Sequence, residues 1–198
     1  MSDDAWSDQA RVLVRPFRAY RALADDDEPP RRAIFTRLFV LLLALGAFVS
    51  FTAAGRLVPL HVVSPSIAWA WVPLWQLASL AVVRRRFLRS EPLSRVYALY
   101  LAGHGGWMLL LLGIAGVCLF APSAPVALLW LLRTGIIPLA VLATFVWGIV
   151  VTFALFRGAF ALPRRTAITA TATFYAVYAG AIVAWFLFTG QLHTLFQR

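Results

Sequence analysis

Five apolar runs dominate the chain, and each is close to the length at which a helix crosses a lipid bilayer. A spanning helix needs about 20 consecutive apolar residues. The segments outside the runs are short and could not build a sizeable soluble core. The sequence therefore predicts an all-α fold, a polytopic transmembrane bundle of five helices. The predicted spans are 33–55, 66–83, 96–121, 134–156 and 166–190.

The composition supports a membrane domain over a soluble one. Only 13% of the residues are charged and 62% are apolar, whereas soluble domains carry roughly a quarter charged residues. Most of the surface must therefore face lipid. The predicted organisation is a cytoplasmic tail at 1–32, a transmembrane domain at 33–190, and a short external tail at 191–198.

The arginines fall on alternate connections between the runs, and this pattern predicts the orientation. Fifteen of the eighteen lie before or just inside the first run, or in the second and fourth connections. The other side carries only Arg56, Arg133 and Arg198. Because positive residues are retained in the cytoplasm during insertion, the N-terminus is expected inside and the C-terminus outside. The first run has 23 residues, too long for the core of a cleavable signal peptide, so it should remain as an anchor.

The tail before the first span contains an amphipathic segment. Between Val12 and Ala24, apolar residues fall on one side of a helix and arginines on the other. Such a helix lies in the membrane plane, with its arginines at lipid phosphates. The predicted contacts with lipid headgroups or partners, including those of the other arginine-rich connections, are Phe17, Arg18, Tyr20, Arg21, Arg31, Arg32, Arg84, Arg85, Arg86, Arg164 and Arg165.

Several function classes lack the residues that they need. After Glu28 the only acid is Glu91, which lies in a connection, so no span carries the carboxylate that proton relays and cation-coupled transporters usually require. The sequence contains no catalytic motif of a known kind, and its single cysteine, Cys118, excludes an internal disulfide. The arginines form no nucleic-acid-binding signature. We expect a non-enzymatic membrane protein without a nucleic-acid partner.

Two polar residues within the apolar sequence are candidate functional groups. His104 lies in the third run among small residues, where it could hydrogen-bond another span or ligate a single-histidine pigment or haem; no cofactor is otherwise expected. If the fourth helix starts early, it places Arg133 within the membrane, and burial of this charge costs free energy. Arg133 would then suit an anionic ligand or a partner carboxylate. The alternative, which we favour, places Arg133 at the outer headgroups.

Small residues at helical spacing indicate close helix packing. They allow helix backbones to approach each other in lipid, either within the chain or against another protein. The candidates in the fifth and third runs are Ala172, Ala176, Gly180, Ala184, Gly113 and Gly116.

The arrangement resembles bacterial members of the Yip1 family. The local match is RPFRAYRALADDDEPPRRA at 15–33, with a proline, an aromatic residue, a leucine and then prolines before the first span. The Asp-Leu, Gly-Pro and Gly-Tyr motifs of eukaryotic members are absent, which argues against vesicle-trafficking or GTPase-partner roles. The resemblance implies a non-enzymatic protein of the bacterial cytoplasmic (inner) membrane that works through protein or lipid contacts.

The expected function is that of an accessory or structural subunit of a larger membrane complex. Its expected partners are anionic lipids and other integral membrane proteins or further copies of itself. Two alternatives stay open: a small-solute transporter or channel, and a pigment- or haem-binding subunit that uses His104.

Overall fold

A computed structural model describes residues 4–25, 31–54, 56–120 and 126–188, and this part of the chain is helical without strands. The all-α prediction is therefore confirmed. The α-helices are α1 (Asp4–Val14), α2 (Pro16–Asp25), α3 (Arg31–Ala54), α4 (Pro59–Ala68), α5 (Trp71–Phe87), α6 (Leu93–Ala102), α7 (Gly105–Phe120), α8 (Val126–Leu131), α9 (Ile137–Ala154) and α10 (Arg164–Phe188). Two π-helical turns, Leu132–Ile136 and Leu155–Ala159, flank α9.

Within the described residues, four helical stretches are long and apolar enough to cross a membrane. A fifth span is obtained if α6 and α7, which are bent by 41° relative to each other, count as one. The second stretch runs over α4 and α5 from Pro59 to Phe87, so it begins before the predicted span 66–83. The ends of the predicted spans at 55, 121 and 189–190, and the tail at 191–198, lie outside the described residues.

Two prolines explain the break between α4 and α5 and the first π turn. Pro73 has no N–H to offer the carbonyl of Trp69, which accepts instead from the Val72 amide at 3.0 Å, and the helix breaks between α4 and α5. Pro138 likewise has no N–H for the Thr134 carbonyl. In the π turn just before it, the Ile137 amide bonds Leu132, five residues back.

Helices α3 and α4 pack closely at Gly46. A Cβ on Gly46 would overlap the Val62 carbonyl and the Ser66 hydroxyl. The Ser66 hydroxyl lies 2.8 Å from the Leu42 carbonyl of α3. At the turn, the Ser50 hydroxyl donates to the Arg56 carbonyl at 2.8 Å and accepts from the Val58 amide at 3.0 Å. Glycine and two buried serines therefore fix this hairpin.

The N-terminal helices dock on the bundle. The backbone of α2 approaches Gly158 in the second π turn, where an added Cβ would lie 3.2 Å from both the Phe17 carbonyl and the Tyr20 Cβ. Arg95 donates to the Ala24 carbonyl at the end of α2. The sequence pattern predicts headgroup contact for Tyr20, but the structure buries this side chain completely, because the apolar face of α2 packs on protein.

The two ends of the bundle differ in character. Contacts of α2 with Arg95 and with the second π turn bring the arginine-rich segments together. At the opposite end, Trp71 of α5 stacks on Trp185 of α10 with ring centroids 5.3 Å apart. Tryptophan favours the headgroup level of a membrane, so each end carries residues suited to an interface.

Candidate functional site

A break in the third span creates the candidate site. Gly103 and His104 separate α6 from α7 at the bend. A Cβ on Gly103 would lie 2.8 Å from Val151 and would also meet the Tyr20 hydroxyl. Added Cβ atoms on Gly105 and Gly106 would lie 3.3 Å from Gln9 and Leu13 of α1. The small residues of this segment thus accommodate the N-terminal helices and the fourth span.

A cavity of about 270 Å³ lies beside this break, between α5, α6, α7, α9 and α10 and capped by α2. Its walls combine aromatic rings with hydrogen-bonding groups. The polar and polar-tipped residues that line it are Tyr20, Gln76, Tyr100, His104, Trp107, Thr152, Tyr175 and Tyr178. Four of the five tyrosines in the sequence therefore meet at one place.

His104 is buried and both of its ring nitrogens have partners. Nδ1 lies 3.2 Å from the Tyr100 carbonyl, and Nε2 lies 3.1 Å from Gln76 Oε1. Both partners are acceptor oxygens, and a neutral imidazole carries one N–H, so it donates to one of them at a time. A second hydrogen bond requires the Gln76 amide to turn its NH₂ toward Nε2, with the imidazole donating from Nδ1. In this arrangement neither nitrogen is free to coordinate a haem iron or a pigment metal.

The remaining polar groups form short links across the spans. The Thr152 hydroxyl lies 2.8 Å from the Gly148 carbonyl of its own helix and 3.3 Å from the Tyr175 hydroxyl. Gln76 also hydrogen-bonds Tyr178. Aromatic contacts hold the walls, such as Tyr100 against Phe174 with centroids 5.4 Å apart. The network joins the second, third, fourth and fifth spans.

The cavity carries no formal charge among its described lining residues when His104 is neutral. Burial raises the pKa of the Tyr20 hydroxyl well above its usual value, with a smaller opposing effect from Arg37, so this group stays protonated at neutral pH. No group of three or more metal-ligating side chains occurs in the described part of the chain. The site can therefore bind an uncharged, hydrogen-bonding molecule.

The predicted packing residues face outward. Ala172, Ala176, Gly180 and Ala184 are all exposed on α10. A Cβ added at Gly180 of α10, or at Gly113 or Gly116 of the third span, would meet no described atom within 4 Å. Among the described glycines, Gly46 has the least room for a Cβ.

The arginines occupy two kinds of position. Most of those predicted to contact headgroups are exposed, namely Arg18, Arg21, Arg85, Arg86, Arg164 and Arg165. Arg84 is half-buried and its Nε donates to the Glu91 carbonyl at 2.8 Å, which folds the second connection. Phe17 is partly exposed and meets Phe153 edge-on at 5.9 Å. The side chains of Arg31 and Arg32 lie outside the described part.

Arg133 is exposed on the first π turn. Between Arg133 and Arg157 the helical path is about 36 Å at 1.5 Å per residue, longer than the hydrocarbon core of about 30 Å. An unbroken helix can therefore place the two guanidinium groups at headgroups of opposite leaflets. Arg133 can reach the headgroups without a helix break before Thr134.

Most of the cavity residues were not singled out by the sequence. Tyr100, Thr152, Tyr175 and Tyr178 each look like ordinary residues of an apolar run. The available signal is helical spacing, since Tyr100 and His104 are four residues apart and Tyr175 and Tyr178 are three apart. Such pairs share a helix face, and a polar face inside an apolar span indicates a buried contact.

Comparison with known protein families, curated proteins and solved structures finds no match to the chain.

Proposed function

We propose that this is a non-enzymatic membrane protein whose bundle holds a small uncharged molecule in the cavity beside His104. The observation that supports the proposal is the convergence of neutral donors and acceptors from α2 and four spans on one partly open cavity. The same proposal includes membership of the Yip1 family and a location in the bacterial cytoplasmic membrane. It also includes an orientation with the arginine-rich end in the cytoplasm.

The size of the cavity favours binding over simple packing. The cavity measures about 270 Å³, many times the space of about 10–15 Å³ that one water needs, so it has room for a small ligand. A ligand of matching chemistry would hydrogen-bond the hydroxyl and indole groups that line the cavity, such as those of Tyr20 and Trp107. A transport role is one form of this proposal, in which the cavity would open in turn to each side.

An accessory subunit of a larger membrane complex is the second candidate function. The supporting observation is the outward face of α10, where Ala172, Ala176, Gly180 and Ala184 are exposed. Small residues facing out of a bundle suit close approach by a helix of another protein or copy.

One purification tests both candidates. The protein is isolated from its native membrane in mild detergent, and all co-eluting small molecules and proteins are identified by mass spectrometry. We expect one small molecule at a near-equimolar amount in the wild type. Thr152→Val, which keeps the shape but removes the hydroxyl, should lose it.

The matched control is Thr144→Val, on the same helix and outside the cavity lining. Equal retention of the molecule by both variants would contradict the cavity proposal. A stoichiometric protein partner without a bound small molecule would favour the accessory-subunit function.

A further inference from the structure

We propose that the ligand enters the cavity sideways from the bilayer and is an uncharged amphiphile with a single apolar tail. Its head would occupy the cavity and its tail the lipid-facing groove between α9 and α10. This inference rests on the proposed function and specifies the class of ligand.

The groove lies on the outer surface of the bundle, with a volume of about 530 Å³. Its walls are mainly apolar and include Ile149 and Phe153 of α9 and Ile168 and Ala172 of α10. From Phe145 to Phe153 it follows α9 for about 12 Å at 1.5 Å per residue. In a spanning helix pair such a channel faces hydrocarbon chains, so it suits an alkyl or prenyl tail.

The groove and the cavity share a wall. Phe145 and Tyr175 line both spaces, and their rings meet edge-on with centroids 6.0 Å apart. Tyr175 turns its hydroxyl toward Thr152 inside the cavity, 3.3 Å away. Phe145 is 44% exposed, so the wall at this point is one side chain thick toward the outside. Rotation of these two rings would join the spaces.

The chemistry of the two spaces selects the ligand class. The cavity offers hydroxyl, amide and indole groups but no arginine among its described lining residues, so it lacks a counter-charge for a phosphate or carboxylate head. The groove offers one charged residue, Arg164. A phospholipid could place its phosphate at Arg164 and a chain in the groove, but its head would remain outside the cavity.

Photo-crosslinking of the full-length protein tests the proposal. The probe is a monoacylglycerol with a diazirine in its acyl chain, added to purified protein in detergent, and labelled peptides are identified by mass spectrometry. We expect labels on α9 and α10 beside the groove. Ala172→Trp should fill the groove and reduce labelling about tenfold or more, since overpacking a fitted site is strongly unfavourable.

The matched control is Ala176→Trp, one turn further along the same exposed face and outside the groove. It should label like the wild type. Thr152→Val, checked for an unchanged elution profile, should also weaken labelling because the head loses a partner. A probe with the same tail and a phosphate head should compete poorly.

The alternative outcomes separate the two proposals. If Thr152→Val weakens binding and Ala172→Trp does not, the cavity binds a ligand but lateral entry is overturned. If only Ala172→Trp matters and the phosphate probe competes well, the groove holds a phospholipid and the head placement is overturned. Labelling that neither variant changes would overturn the inference, and the small molecule in the native preparation would then decide the proposed function separately.

Discussion

At the scale of single residues, the bond between Gln76 and His104 is the most informative contact. It joins the second and third spans with 3.1 Å between the side chains. Gln76→Leu should destabilise the protein by about 1–3 kcal/mol, because it leaves a buried imidazole nitrogen without a partner. Together with His104→Leu, a double-mutant cycle should give a coupling energy of about 0.6 kcal/mol, the usual value for hydrogen bonds between membrane helices.

Thermal unfolding in detergent measures all three variants. The control cycle combines Gln76→Leu with Thr144→Val, which lies outside the cavity lining and should add independently. Strict additivity of Gln76→Leu and His104→Leu would contradict the contact.

The sequence predicts His104 as a candidate but does not predict its partners. An isolated histidine in an apolar run is visible from the sequence alone. The identity of Gln76 as its partner depends on helix rotation, since 28 residues separate them. Tyr20 is a harder case, because its amphipathic helix suits a membrane surface and a protein surface equally well. The contacts with Gly158 and Gly103 distinguish the two.

At the scale of helices, Gly46 is expected to matter more than the glycines of the third span. Gly46→Ala should lower stability by about 1–3 kcal/mol, since the added methyl meets backbone that cannot move aside cheaply. Gly113→Ala is the matched control, with open space around the new Cβ, and should change stability by about 0.5 kcal/mol or less. Thermal unfolding compares the two, and a larger effect at Gly113 would place the close contact elsewhere.

The existence of the helices is predictable because length and hydropathy record membrane crossing directly. Which side of each helix contacts protein and which contacts lipid is not predictable, because lipid and protein interior are similarly apolar. Both sides of α7 or α9 therefore carry the same residue types. The small residues at Ala172 and Gly180 therefore predict close packing without saying against what. In the described chain they face outward.

At the scale of the whole molecule, the arginine distribution predicts the orientation in the membrane. Leu57 and Ser90 are exposed in the first and second connections. In a Cys118→Ser background, Leu57→Cys should react with an impermeant maleimide on intact cells, whereas Ser90→Cys should react only after permeabilisation. The reason is retention of positive connections in the cytoplasm. Labelling of Ser90→Cys in intact cells would contradict the orientation.

The docking of α2 has a consequence for how the protein is made. Tyr20 leaves the ribosome early, whereas Gly158, against which it packs, follows about 140 residues later. At 5–20 residues per second this interval lasts about 7–28 s. During that time α2 has its arginines and apolar face available to the membrane surface, and the cavity has no cap. Docking of α2 therefore removes its apolar face from the membrane surface once the fourth span is complete, whereas Arg18 and Arg21 stay exposed.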